Sequence, residues 1–110
     1  MLSLKYRLKK ETDIKKVFSN KQSVFGKAVI INFAKNELKN SRFTFVVSTK
    51  TFKKAVTRNH FKRVLRSIVR DILPSLPIGF DFVVVIKTNI QNMLFEDIKS
   101  ECQYLFNKIK

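Results

Sequence analysis

Apolar and polar residues repeat with the period of an α-helix between Thr49 and Asp71, in the segment TKTFKKAVTRNHFKRVLRSIVRD. At about 100° per residue, its apolar and basic side chains fall on opposite arcs of the helix. The basic arc comprises Arg58, Asn59, Lys62, Arg63, Arg66 and Arg70, and the apolar arc comprises Phe61, Val64, Leu65, Ile68 and Ile72. The pattern predicts a helix that packs along one side and presents guanidinium groups on the other. Pro74 ends this helix soon after Leu73, because proline lacks an amide hydrogen and restricts the residue before it.

The remaining patterns predict two further helices and a small sheet. A first helix spans 12–20, with Thr12 as its N-cap, and a last amphipathic helix runs from 94 to 109. Strands are predicted over 28–34, 42–48 and 80–87, the last of them apolar enough for the interior of a sheet. The order of helix, two or three strands, basic helix, strand and helix indicates an α+β sandwich with helices packed on the sheet. A chain of 110 residues supports a single domain, 1–110.

Phenylalanine is the main aromatic residue, with eleven copies and no tryptophan. Alternation in RFTFVVS places Phe43, Phe45 and Val47 on one face of a strand, and the residues between them on the other. Such phenylalanines are core residues by default. Phe18, on the first helix, is the best candidate for an exposed platform on which single-stranded RNA could stack.

The net charge of +15 is concentrated rather than spread along the chain. From Leu38 to Arg70 there is no Asp or Glu, while Lys and Arg occur ten times. A charge of this size destabilises the folded state by self-repulsion. A concentrated basic block therefore indicates a binding face for a polyanion, for which nucleic acid is the leading candidate.

Several classes of protein are disfavoured by what the chain lacks. One histidine and one cysteine make no zinc site, and the eight scattered acids make no two-metal carboxylate cluster. No apolar run is long enough to span a membrane, and the first residues lack a hydrophobic signal core, so a cytoplasmic protein is expected. His60 has no acid near it in sequence, which favours RNA contact or a plain surface position over catalysis. For Asn59 three roles stay open: holding Arg58 in position, tying down the preceding loop, or contacting RNA.

Three segments resemble the bacterial ribonuclease P protein component, in the right order and over nearly the whole chain. AVTRNHFKRVLRSIVRD resembles the RNR signature of that family through Ala55, Val56, Arg58, Asn59, Lys62, Arg63, Arg66 and Arg70. YRLKKETDIKKVF is similar to the family's opening segment through Arg7, Leu8, Asp13, Val17 and Phe18. LPIGFDFVVVIK is similar to its last strand through Pro77, Gly79, Asp81, Val83 and Val84.

The resemblance implies the order α-β-β-β-α-β-α, with the basic helix in a left-handed βαβ crossover. It implies a protein without catalytic residues of its own, which serves a catalytic RNA in the Mg²⁺-dependent removal of the 5′ leader from precursor tRNA. The Mg²⁺ would be held mainly by that RNA and the substrate, and no organic cofactor or protein partner would be needed; the oligomeric state of the free protein stays open. The residues implied for binding the catalytic RNA are Lys50, Lys53, Lys54, Arg58, Asn59, His60, Lys62, Arg63, Arg66 and Arg70. Those implied for a leader-binding cleft are Arg7, Ile14, Phe18 and Phe45.

The chain departs from the family pattern at three positions. His60 replaces the second arginine of the RNR signature, Ile14 stands where an aromatic residue is common, and Thr49 stands where lysine is frequent. The alternative function is that of a ribosomal or other structural RNA-binding protein. A stand-alone nuclease and a protein that binds the major groove of duplex DNA are further alternatives.

Overall fold

Alternation of side chains along the strands gives the sheet two faces; two helices cover one of them and a third helix covers part of the other. The computed structural model describes residues 3–109. The helices are α1 (Glu11–Ser19), α2 (Ala55–Ile72) and α3 (Phe95–Asn107), and the strands are β1 (Ser23–Phe25), β2 (Val29–Lys35), β3 (Arg42–Val46) and β4 (Phe80–Ile86). Short 3-10 helices occupy Leu4–Tyr6, Leu73–Ser75 and Thr88–Asn92. The predicted order α-β-β-β-α-β-α is confirmed, with β1 as the strand that the sequence pattern did not locate.

The strand order in space is β1-β2-β4-β3. Strands β2 and β3 follow each other in sequence but do not pair, because β4 lies between them. β3 and β4 run parallel and α2 connects them, so the basic helix is the crossover of a βαβ unit. The left hand expected for this crossover stays a prediction.

Two clusters of buried side chains lie on opposite faces of the sheet. The larger one joins α2 and α3 to the sheet; at its centre Phe82 stacks on Phe43 with ring centroids 5.1 Å apart, and Phe106 meets the Phe82 ring edge-on at 5.0 Å. The smaller one packs Val17 of α1 against Leu8 and Val83. Because α1 covers only part of its face, the rest of that face is left accessible; Val46 at the end of β3 is 38% exposed.

A partly buried ion pair links α1 to the sheet. Asp81 accepts two hydrogen bonds from the Arg42 guanidinium, at 2.8 and 2.7 Å, and a third from Asn36 at 2.8 Å. The same guanidinium lies 3.4 Å from Asp13 in α1. The hydrogen bond with Asp81 raises the pKa of Arg42 above its ordinary value, so the guanidinium stays charged. Asp81 is one of the positions that match the family pattern, and in this structure it holds Arg42 in place.

The predicted cap of the first helix is wrong. The N-cap position is Lys10, whose side chain makes no capping hydrogen bond, and Thr12 lies inside the first turn. Glu11 and Asp13 occupy that turn, where their negative charges interact favourably with the helix dipole. Acidic residues rather than a hydroxyl cap therefore mark this helix start.

The single cysteine offers a test of the packing of α3. Burial raises the pKa of the Cys102 thiol to about 12, from an ordinary value of 9.0. Because the thiolate is the reactive form, the folded protein should not react with a disulfide reagent at about pH 8, and should react once urea unfolds it. The raised pKa also means that this group's contribution to stability is present below pH 9.0 and is lost as the pH rises towards about 12. Rapid labelling of the folded protein would contradict the packing described.

Candidate nucleic-acid interface

Helix α2 separates packing residues from charged ones as its sequence predicts. Leu65, Ile68 and Ile72 are buried against the sheet and α3, together with Val69. Asn59, Arg63 and Arg70 are exposed, and Arg58, Lys62 and Arg66 are half-buried. Half-burial of a long basic side chain places its aliphatic stem on apolar surface and leaves its charged head in water.

The loop before α2 is held by contacts with the first turns of the helix. Nη1 of Arg58 donates hydrogen bonds to the carbonyl oxygens of Phe52 and Lys53, at 2.9 and 2.8 Å. The Phe52 ring is buried and stacks on Phe61, with centroids 5.2 Å apart. Arg58, predicted as an RNA contact, therefore also positions the segment that carries the exposed Lys50, Lys53 and Lys54.

Asn59 does not have the first two roles that the sequence left open. Its side chain is exposed and makes no hydrogen bond to any residue in the described range 3–109. The loop is tied down by Arg58 instead. Contact with RNA is the role that stays as a prediction for Asn59.

The central cations of α2 have no acidic partner. Within residues 3–109, the ion pairs involve Arg42, Arg70 and Lys99, and none involves Lys62, Arg63 or Arg66. Arg70 differs, because its Nε lies 3.7 Å from Asp71, which Lys99 also approaches at 3.9 Å. The positive charge without an acidic partner in this range therefore extends along α2 as far as Arg66.

The basic arc borders two separate concave surfaces. We call the first the strand-edge groove; it has a volume of about 220 Å³ and is lined by Arg7, Leu8, Lys9, Phe43, Thr44, Phe45, Lys62 and Arg66. We call the second the helix-start pocket; it has a volume of about 530 Å³ and is lined by Val56, Thr57, Asn59, His60, Phe61, Arg63 and Gln91. Neither lining includes an acidic residue. One helix thus presents cations to two different sites.

The four residues predicted for a leader-binding cleft fall into two separate pairs. Phe45 is only 7% exposed and belongs to the core beneath α2, and with Arg7 it lines the strand-edge groove. Ile14 packs on the other face of the sheet, beside the smaller core cluster. Phe18, one helical turn after Ile14, is 46% exposed. Phe45 therefore lies on the opposite face of the sheet from Ile14, because alternation along β3 directs odd and even residues to opposite faces. The leader-binding role of the four residues stays a prediction.

Two residues at these surfaces were missed by the sequence analysis. Lys9 enters the strand-edge groove because the chain around Arg7 pairs with β3, where the Leu8 amide donates to the Phe43 carbonyl at 2.8 Å. Gln91 reaches the helix-start pocket from the 3-10 helix Thr88–Asn92. Neither has a sequence signal, since both depend on contacts between distant segments.

Among residues 3–109, no three His, Cys, Asp or Glu side chains are grouped so as to hold a metal ion. None of the helices described is long and apolar enough to cross a membrane. The side chains that line the two concave surfaces include cations, amides and aromatic rings.

A chain of net charge +15 whose amphipathic helix carries arginines without an acidic partner in residues 3–109 has the features of the nucleic-acid-binding class. The family model for Ribonuclease P matches residues 2–110, and the chain belongs to that family. It is 38% identical over 106 residues to the ribonuclease P protein component of Phytoplasma australiense, covering 96% of this chain and 91% of the relative. It is 31% identical over 107 residues to that of Fusobacterium nucleatum, covering 94% and 96%.

Solved structures give the same answer for the fold. The RNase P protein from Thermotoga maritima superposes with a TM-score of 0.86 at 29% identity, covering 94% of this chain and 97% of that one. The Staphylococcus aureus protein superposes with a TM-score of 0.82 at 24% identity, covering 96% and 95%. The family assigns the chain the role of a protein subunit in the ribonuclease P holoenzyme, an endoribonuclease of tRNA processing. It does not support the alternative of a ribosomal or other structural RNA-binding protein.

Proposed function

We propose that this chain binds the catalytic RNA of ribonuclease P through α2 and its preceding loop, and the 5′ leader of precursor tRNA through the uncovered sheet face beside α1. The observation that carries the proposal is the run of Lys62, Arg63 and Arg66, which have no acidic partner in the described range. An unpaired guanidinium is free to grip a phosphate with two hydrogen bonds.

The chain's contribution is positional and electrostatic. RNA carries out the cleavage, and the protein's cations screen the repulsion between the catalytic RNA and its substrate. We assign the Mg²⁺ to the catalytic RNA and the substrate, as the resemblance to the family implies. Screening by the protein would lower the Mg²⁺ concentration that the complex requires.

The strand-edge groove suits the phosphodiester backbone. Four cations line it, Arg7, Lys9, Lys62 and Arg66, and β3 forms its wall through Phe43, Thr44 and Phe45. This assignment moves Arg7 from the leader site to the surface that binds the catalytic RNA.

The leader site is assigned to the other face of the sheet. Phe18 and Val46 are both partly exposed there, although hydrophobic residues of this size are usually buried. An unpaired nucleotide of the leader could stack on the Phe18 ring, because every base has a π-face. Ile14 supports the helix beneath this site without adding an aromatic surface.

Substitution Phe18→Ala tests the leader site. We expect it to weaken binding of precursor tRNA to the reconstituted holoenzyme by about 10-fold, because one base stacked on an aromatic ring contributes about that much affinity. Binding of mature tRNA, which lacks the leader, should not change. Tyr104→Ala is the matched control, since Tyr104 is an exposed aromatic residue on α3 across the sheet. An equal loss of affinity for both RNAs would show that Phe18 does not contact the leader.

A further inference from the structure

We infer that the helix-start pocket holds a single unpaired nucleobase of the bound RNA, and that Gln91 and His60 help to recognise it. The inference rests on the proposed function, because it names what one part of the α2 surface binds. The inference assigns a binding role to Gln91, which lies outside α2, and it names a nucleobase rather than a phosphate as the ligand.

The pocket is an open depression with a partly apolar lining. Its volume of about 530 Å³ leaves room for one planar base. Val56 is 80% exposed although it is apolar, and lies in the first turn of α2. A surface of this kind is suited to the face of a planar ring, since phosphate gains nothing from apolar contact.

The aromatic wall of the pocket packs against the core. Phe61 is half-buried and stacks on the buried Phe52, with an angle of 26° between the ring planes. The His60 ring meets Phe61 edge-on, with centroids 5.0 Å apart and 67° between the planes. His60 is exposed, so its imidazole ring can take part in stacking with a base.

The polar groups of the pocket match the edge and the backbone of a nucleotide. The amides of Asn59 and Gln91 each offer donors and an acceptor, and neither side chain is hydrogen-bonded to another residue in 3–109. Arg63 follows Asn59 by one turn and has no acidic partner in that range, so it can bind the phosphate of the inserted nucleotide. A fully paired helix cannot supply such a ligand, because its bases are stacked inside the duplex.

Binding of two RNA hairpins to the full-length chain would test this inference. One hairpin carries a single bulged 2-aminopurine in its stem, and the other has an abasic nucleotide at the same position. The wild-type chain should bind the 2-aminopurine hairpin about 10-fold more tightly, and binding should quench the fluorescence of the base.

Variants Gln91→Ala and His60→Ala should reduce this preference to within about two-fold and, for His60→Ala, remove most of the quenching. Asn89→Ala is the control for Gln91, because Asn89 is an exposed amide on the same 3-10 helix and does not line the pocket. It should keep both the preference and the quenching. Protection of Cys102 from labelling confirms that each variant is folded.

Equal affinity of the wild-type chain for both hairpins would overturn the inference, as would an unchanged preference in both variants. Either result leaves the proposed function intact if the chain still binds the catalytic RNA with strong salt dependence. If the chain fails to bind the catalytic RNA at all, the proposed function itself is wrong, whatever the hairpins show.

Discussion

Joint substitution of Arg63 and Arg66 by alanine is expected to weaken binding of the catalytic RNA by about 100-fold, because each charge-assisted hydrogen bond to phosphate contributes about 1.5 kcal/mol or more. These two side chains have no acidic partner in residues 3–109 and line different concave surfaces. Their removal should therefore affect RNA binding on both sides of α2 without releasing a buried charge.

The salt dependence of binding distinguishes two explanations for a loss of affinity: the loss of direct phosphate contacts made by these two arginines, and a general decrease in the positive charge of the chain. The slope of log affinity against log salt should decrease by about 2 in the double variant, roughly one unit for each phosphate that is no longer neutralised. Lys99→Ala with Lys108→Ala is the matched control, since it removes two charges on or next to α3. If this control weakened binding as much, the net charge of the chain would explain the affinity and the α2 surface would not.

Phe82→Ala is expected to reduce the free energy of unfolding by about 4 kcal/mol, the usual cost of truncating a fully buried aromatic residue. Phe82 is 0% exposed, and its ring contacts those of Phe43, Phe80 and Phe106. The cavity would open between β4 and α3, where the Phe82 ring meets Phe106. Urea unfolding at a salt concentration that screens the chain's own charge is the appropriate measurement.

Two further variants keep this prediction testable if Phe82→Ala does not fold. Phe82→Leu preserves most of the volume and should cost less than about 2 kcal/mol. Phe25→Ala should change stability by less than about 0.5 kcal/mol, because Phe25 is 70% exposed. Similar decreases in stability for Phe82→Ala and Phe25→Ala would contradict the core described.

Periodicity made α2 and the strand faces predictable. The apolar arc predicted for α2 is buried or half-buried in the structure, and Phe43 and Phe45 face the core as their alternation requires. Both follow from local geometry, in which the spacing of residues along the chain fixes the face on which each lies.

Pairing between strands was not predictable in the same way. β1 has three residues and depends on pairing with β2, an interaction that composition does not reveal. The placement of β4 between β2 and β3 is equally non-local. The alternation of β3 placed Phe45 with Phe43 on the face that α2 covers, and only the resemblance to the family linked it to the leader.

The candidate RNA-binding site was also only partly predictable from the sequence. The sequence identified the charged residues of α2 but not the use of Arg58 in anchoring the loop, or the entry of Lys9 and Gln91 into the two concave surfaces. Each of these depends on how separate segments meet after folding. The type of ligand could be predicted from local sequence, while the shape of the site could not.

Cleavage of precursor tRNA by the catalytic RNA, at a Mg²⁺ concentration where that RNA alone is nearly inactive, tests the central claim most directly. Addition of this chain in equimolar amount should restore multiple-turnover removal of the 5′ leader, and the Arg63 and Arg66 double variant should do so only at far higher protein concentration. No stimulation by the wild-type chain, or cleavage by the chain in the absence of the catalytic RNA, would contradict the account.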